Sequence, residues 1–363
     1  MREKLLHLLG RIRQAARHQR LSVNARLSPL AVSTSCLAHD APVVAINMYP
    51  AAGAWGGSSV FVHQFLAALR RCGFRPVFEL NGRVDVIFLI DPRVDLLNKA
   101  FGMEEIRRYR DRHPEVRIIH RINECDQRKA SDFMDECLRQ ANDIADHTVF
   151  ISEWLQEYFV SRWFDAERSH QVIYNGADPS VFHPLGGDRF DGGTLRLVTH
   201  HFSSHLLKGF AVYQMVDEMI ADGRLSDTEL WIIGGRPPEM HWRASRLFAP
   251  VAGRELATLL RQCHAYITAS LWEPCGMHHV EGAQCGLPLL YHEDGGGIVE
   301  AGLRYGIGFR EETLQAALHE MRHRYLEMRK RVFTSMPDGL SMAMDYVRAV
   351  YRVLSLAEEK HNE

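Results

Sequence analysis

At 363 residues the chain is long enough for about two domains of ~150 residues each. A hydrophobic share of 46% with 24% charged residues excludes disorder as its main state. Forty-three Lys and Arg against 45 Asp and Glu leave a net charge of −2, which argues against a general nucleic-acid binder.

Residues 1–37 are expected to form a basic helical extension. The first 26 residues carry seven Lys or Arg and one Glu, and Leu5, Leu8, Leu9, Ile12 and Ala16 fall on one helical face. Such a helix can lie on an anionic surface, so peripheral contact with the inner membrane face through residues 1–20 is one expectation and a solvated helix is the other. No run in the chain approaches the ~18 apolar residues of a membrane span.

From residue 38 to 187 the pattern is βα. Val43–Met48 reads as a buried strand, followed by the glycine-rich loop Ala51–Ser59 and an apolar-periodic helix, Val60–Arg71. Val84–Ile90, Arg117–His120, Thr148–Ser152 and Gln171–Tyr174 read as further buried strands, with Ala130–Ala145 helical between two of them. Phe182–Gly187 reads as a linker. The pattern then restarts over 188–335, with strands expected at Leu195–Thr199, Leu230–Ile233, Ala265–Ala269 and Leu287–Tyr291. A closing helical segment is expected from about 312 to 358, with 336–363 packing back on the first domain. Short apolar runs alternating with helices predict an α/β, doubly wound architecture in each half, with ligands held at the carboxyl ends of the strands.

The seven cysteines, at positions 36, 72, 125, 137, 263, 275 and 285, are odd in number and show no C-x-x-C spacing. A disulfide framework or zinc finger is therefore not expected, and a reduced, cytoplasmic compartment is. His201 and His205 stand four apart and His278 and His279 are adjacent, but no acidic third ligand accompanies them, so no metal site is expected.

The stretch Ser270–Gly286 carries the most chemistry. Gly276 lets a ligand approach the backbone, and a helix is expected from Met277 to about Gly286. The unpaired N–H groups of its first turn, around Gly276, Met277 and His278, suit an anion such as a phosphate. Glu281, one turn in, can accept two hydrogen bonds from a diol such as ribose, and Glu273 can meet a sugar hydroxyl or developing positive charge. Gly53, Gly56 and Gly57, ahead of the helix at Ser58, form a second cradle at a helix start, or else a plain turn. Asn175-Gly176 reads as a turn. Asp294–Gly297 leaves a strand and either lines the pocket or is a plain loop.

The E-x(7)-E spacing of Glu273 and Glu281, followed by Ala283-Gln284-Cys285-Gly286-Leu287-Pro288, resembles family 4 of the retaining glycosyltransferases, the group 1 enzymes. Gly56-Gly57, Val172–Asp178 and Lys208-Gly209 occur in the matching order, and the resemblance covers about residues 42 to 310. It implies a GT-B architecture, two facing Rossmann-like domains, the first for an acceptor and the second for a nucleotide-sugar donor. It implies transfer of a sugar, with retention, from a UDP- or GDP-linked donor to a glycan or lipid-linked acceptor. It places Glu273 at the donor sugar, Glu281 on the nucleotide ribose, and the backbone of Gly276, Met277 and His278 on the donor. Gly57 and Gly56 then approach the donor phosphates or the acceptor. His120 is carried over as the histidine near the reacting carbon, beside Arg121 and Asn123 on the acceptor side, with Glu124 and Asp126 as alternative acid–base groups.

No two aspartates stand two apart, so the D-x-D metal pair is missing and cations must meet the departing diphosphate. Lys208 is the first candidate, against the reading of an ordinary surface lysine. The loop His200–Gly209 lacks the arginine that the resemblance calls for. His200, His201 or Arg236 is expected to replace it. No cofactor beyond the nucleotide-sugar is expected. The alternatives are a non-catalytic nucleotide-sugar-binding protein, favoured by that thin cation loop, and a GT-B nucleotide-sugar epimerase. A nicotinamide-dependent dehydrogenase is disfavoured, because the first loop reads A-A-G-A-W-G-G rather than G-x-G-x-x-G.

Overall fold

A computed structural model describes residues 41–50, 57–93, 97–336 and 338–359. The expected N-terminal extension, its membrane contact, and Gly53 and Gly56 lie outside the described residues.

The first half holds one parallel sheet of six strands in the order β2-β1-β3-β4-β5-β6. These are β1 (Val43–Ile46), β2 (Arg75–Val77), β3 (Val86–Leu89), β4 (Arg117–Ile122), β5 (His147–Phe150) and β6 (His170–Val172). The central strands read as unbroken apolar runs because helices cover both faces; VVAI of β1 and VIFL of β3 are buried at every position. Its helices are α1 (Gly57–Arg71), α2 (Met103–Arg112), α3 (Asp126–Lys129), α4 (Met134–Asn142) and α5 (Glu153–Val160).

The second half repeats the design, with strand order β12-β11-β10-β7-β8-β9. Its strands are β7 (Leu195–His201), β8 (Thr228–Gly234), β9 (Arg246–Phe248), β10 (Ala265–Thr268), β11 (Leu289–His292) and β12 (Gly306–Phe309). Its helices are α6 (Phe210–Ala221), α7 (Gly253–Leu260), α8 (Met277–Gln284), α9 (Ile298–Tyr305), α10 (Leu314–His323) and α11 (Tyr325–Ser335), and α12 (Gly339–Glu359) closes the chain. All ladders between named strands are parallel, with β7 paired to both β8 and β10. The two Rossmann-like sheets are those the sequence pattern predicts.

The strand order reverses beside β1 in one sheet and beside β7 in the other. Such reversals open a crevice at the carboxyl ends of the flanking strands. The loops after β7 and β10 therefore form the natural ligand site of the second half.

Three strands were not predicted: β2, β9 and β12. All three are sheet edges. Each is short and at least half wetted, and their sequences RPV, RLF and GIGF lack an apolar run. The expected continuous helical segment over 312–358 is three helices, α10, α11 and α12. The last crosses back to the first half, where Met342, Tyr346, Val347 and Val350 share a core with Phe61, Phe65 and Phe88. Tyr346 meets Phe61 edge-on at 4.7 Å between ring centroids.

Candidate functional site

The loop between β10 and α8 is held open by backbone geometry. Trp272 donates its N–H to Asp294 O at 2.9 Å, and Glu273 donates to Gly295 O at 3.1 Å. This parallel pairing presses Gly296 against the chain: a Cβ there would lie 2.9 Å from the Trp272 carbonyl carbon, and its φ of +66° favours glycine. Trp272 itself adopts a φ of +50°, uncommon for a side-chain-bearing residue. Gly209, with φ +84°, packs on Ala269, where a Cβ would meet a carbonyl oxygen at 2.3 Å. That approach sets Lys208 against the end of β10.

Glu273 is the centre of the polar cluster. Its Oε2 accepts from Lys208 Nζ at 2.8 Å and forms an ion pair with Arg128 Nη2 at 2.8 Å. Burial alone would push this carboxyl up, but Lys208 and Arg128 outweigh it and hold the group at about 2. Lys208 is pulled below its ordinary value, by burial first, with Glu273 opposing. Lys208 and Glu273 belong to the second half, Arg128 to α3 of the first, so this ion pair spans the cleft.

Glu281 lies on α8, as its spacing predicts. Its Oε2 meets His200 Nε2 at 2.8 Å, and His200 Nδ1 meets the Tyr266 hydroxyl at 3.1 Å. A proton on Nε2 lets His200 donate to the carboxylate while Tyr266 donates to Nδ1. One carboxylate oxygen is thereby engaged, and a carboxylate carries a second with its own lone pairs. The N-cap of α8, Gly276, supplies no side chain to the helix start, and no acidic residue occupies its first turn. Across the cleft, Gly57 at the start of α1 approaches α8 so closely that a Cβ would lie 2.7 Å from Met277 Cγ. Two helix N-termini thus converge, each with the positive end of its dipole toward the cleft.

The structure distributes the other candidates as follows. His278 is buried with Nε2 3.0 Å from Thr268 Oγ1, and burial holds its pKa well below the ordinary value. Asn123 donates to Ser58 Oγ at 3.0 Å and so ties β4 to the start of α1. Arg121 is 1% exposed; its side chain donates to the Tyr346 hydroxyl at 3.0 Å and to Asn175 Oδ1 at 2.9 Å, and stacks 4.2 Å over Phe61. Asn175, expected as a plain turn, donates onward to the Cys275 carbonyl at 2.6 Å. Arg121 therefore steadies the loop between β10 and α8 from behind, through Asn175, and does not reach the cleft.

His120 is likewise not brought to Glu273. It is fully buried in β4, accepts from Asn142 at 3.1 Å, and is held near 3 by burial, with Arg168 adding to it. Asp126 is spent on structure: it accepts from Ser131 Oγ and from the amides of Met134 and Asp135. Glu124 keeps its carboxyl beside Lys129 at 2.7 Å, with burial raising it.

The expected substitutes for the missing loop arginine do not stand where that arginine was needed. His201 is buried between Thr199 and Tyr213, at 3.0 and 2.9 Å, and burial holds it well below its ordinary pKa, so it is neutral. Arg236 donates to the carbonyls of Gly234 and Phe248. His200 serves Glu281. The second cation at Glu273, beside Lys208, is Arg128, which the sequence reading missed. Its only signal was an Arg-Lys pair in the short polar helix after β4.

A cavity of about 430 Å³ opens between the two halves, lined in part by Gln127, Trp154, Trp272, Asp294 and Glu300. Glu300 on α9 accepts from the amides of Glu153 and Trp154 at the start of α5, a second carboxylate contact across the cleft. Among the described residues no cluster of His, Cys, Asp and Glu is placed to hold a metal ion. No helix among them is long and apolar enough to cross a membrane.

No protein-family model and no curated protein matches the sequence. Solved structures match over most of the chain. Sucrose-phosphate synthase from Thermosynechococcus elongatus is 14% identical, covering 87% of this chain and 100% of its own, with a TM-score of 0.62. Anabaena HepE in complex with UDP is 11% identical over 86% of this chain and 100% of its own, at 0.63. WaaG, a glycosyltransferase involved in lipopolysaccharide biosynthesis, is 11% identical over 84% and 98%, at 0.60. At these identities the likeness shows the fold: this chain has the GT-B architecture.

Proposed function

We propose that the chain is a retaining, metal-independent glycosyltransferase of family 4. It moves a sugar from a UDP- or GDP-linked donor to a glycan or lipid-linked acceptor. The observation that carries this reading is the arrangement at one switch point: Glu281 and Glu273 flank the uncapped start of α8, with Lys208 on Glu273. A ribose on Glu281, a diphosphate at the helix start and a sugar at Glu273 use every member of that set.

In the reaction the bond from the anomeric carbon to the diphosphate breaks, the acceptor oxygen takes its place on the same face, and the acceptor's proton passes to the departing diphosphate oxygen. Charge grows on the departing diphosphate. The dipoles of α8 and α1 and the Lys208 ammonium are fixed before that charge appears, which is what makes such groups effective. Glu273, ionised over the working pH range, takes a sugar hydroxyl or faces positive charge at the anomeric centre. The cavity beside Trp154 and Trp272 is the entry we assign to the acceptor, and its size suits a sugar unit. Contact between the halves excludes water that would otherwise hydrolyse the donor. A cytoplasmic location fits a nucleotide-sugar substrate and the free cysteines among the described residues.

The test is release of nucleoside diphosphate from a panel of UDP-, GDP- and ADP-sugars, with glycan acceptors added and with Glu273→Gln as control. Acceptor-stimulated release from one donor, lost in the variant, supports the reading. Binding without release across the panel favours the non-catalytic protein, and an isomerised sugar nucleotide formed without acceptor favours the epimerase.

A further inference from the structure

The charges around Glu273 do not balance within the protein. Lys208 and Arg128 both hold the same carboxylate oxygen, each at 2.8 Å. Lys129 beside them is matched by Glu124. One carboxylate thus serves two cations, and an excess positive charge remains. It is well shielded from water, since the Arg128 side chain is 6% exposed and that of Lys208 15%. The neighbouring histidines His201, His278 and His279 are held neutral by burial and add no charge of their own. Arg128 also carries a buried nitrogen, Nη1, with no hydrogen-bond partner. A buried guanidinium donor left unpaired is costly, and such a group in a native protein calls for a ligand.

The segment that carries Arg128 is firmly anchored. Asp126 accepts from Ser131 Oγ at 2.5 Å and from the amides of Met134 and Asp135, while its own amide donates to Asp135 at 2.8 Å. The short helix ends at Ala130 in the left-handed region, φ 51°, which turns the chain away immediately after Arg128 and Lys129. Arg128 is thus preorganised, and its planar fork suits two phosphate oxygens where an ammonium offers a single point of charge.

We propose that Arg128 is the second cation for the diphosphate of a nucleotide-sugar donor, contributed from the opposite domain and forming with Lys208 a cradle that spans the cleft. This rests on the glycosyltransferase reading of the same site. It assigns Arg128 the place that the loop His200–Gly209 leaves without an arginine. It also makes the domain contact and the donor contact one device: the diphosphate takes the free donor of Arg128 while Glu273 keeps the other, so donor binding fastens the two halves together.

Calorimetric titration of the full chain tests this. UDP, GDP and ADP are titrated into the wild type first, and the diphosphate that binds is compared with its monophosphate in wild type, Arg128→Gln and Arg128→Lys. Arg128→Gln is expected to weaken the diphosphate by ~10- to 100-fold, the range for one charge-assisted contact, and the monophosphate by no more than about twofold. Arg128→Lys is expected to fall between wild type and Arg128→Gln. Equal losses for both nucleotides would mean that Arg128 acts on the fold alone, and an unchanged diphosphate affinity would remove it from the site; either overturns the proposal while leaving the glycosyltransferase reading intact. If Arg128→Gln does not fold, the comparison rests on Arg128→Lys, whose loss must fall on the diphosphate alone. A wild type that binds none of the three diphosphates overturns both readings together.

Discussion

Replacing Glu273 by Gln keeps the shape of the side chain and removes its charge. The carboxyl is held at about 2 against an ordinary 4.5, a shift worth about 3 kcal/mol at ~1.4 kcal/mol per unit. The group is only 13% exposed, so solvent screens little of this. Removing one partner of a buried ion pair costs ~3–5 kcal/mol by the general rule, which agrees. Here the loss is aggravated because Lys208 and Arg128 are left side by side. Because the folded value lies below the unfolded one, the stabilisation is complete above about 4.5 and is lost as the pH falls toward about 2. Urea unfolding of wild type and Glu273→Gln from pH 3.5 to 8 measures it. A gap of about 3 kcal/mol is expected, flat from pH 5.5 to 8 and closing below about 4.5. The variant matching the wild type at pH 7, or a gap that widens in acid, would refute the electrostatic account of Glu273.

Four further outcomes follow from the same geometry. Burial holds His279 at about 4, against 6.5 for the free imidazole, with Glu273 opposing, so the unfolded chain binds this proton first. Stability should therefore begin to fall as the pH drops below about 6.5, and His279→Gln should flatten that slope by up to about 3 kcal/mol at pH 4; an unchanged slope in the unfolding curves counts against it. His200→Ala should weaken nucleotide binding by ~3- to 10-fold, because Glu281 loses its orienting partner; calorimetry with the nucleotide that binds reads this. Arg121→Met leaves Asn175 Oδ1 without its donor and should cost ~1–3 kcal/mol of stability by denaturant titration. Tyr346→Ala opens a cavity between α12 and α1 and should cost ~3–5 kcal/mol, with earlier proteolytic cutting in the C-terminal helix.

The fold was legible where the physics is local. Strands buried on both faces must be mainly apolar, so β1, β3, β10 and β11 announce themselves as VVAI, VIFL, AYIT and LLYH. Edge strands face no such demand, and RPV, RLF and GIGF look like loop until a neighbour supplies the ladder. Glu273, Glu281 and the start of α8 were legible because one strand–loop–helix segment carries all three. Lys208 was legible through Gly209, whose close approach to Ala269 only glycine allows. Arg128 was not, because its meaning arises from a contact between residues 145 positions apart, on different domains. His120 and Arg121 misled for a related reason. A polar pair at the end of a strand reads as a cleft residue, yet here Asn142 engages His120, and Asn175 and Tyr346 engage Arg121, inside the core.

The measurement that bears most directly on the central claim is a thermal-shift comparison of wild type and Glu281→Ala with UDP, GDP and ADP. A nucleotide at ~100 times its dissociation constant adds about 2.7 kcal/mol to a native state that alone binds it. At ~2–4 °C per kcal/mol the melting point should rise by roughly 5–10 °C with one base, and Glu281→Ala should abolish that rise. No shift with any of the three, or an equal shift in the variant, would contradict the assignment of Glu281 and α8 to a nucleotide-sugar donor.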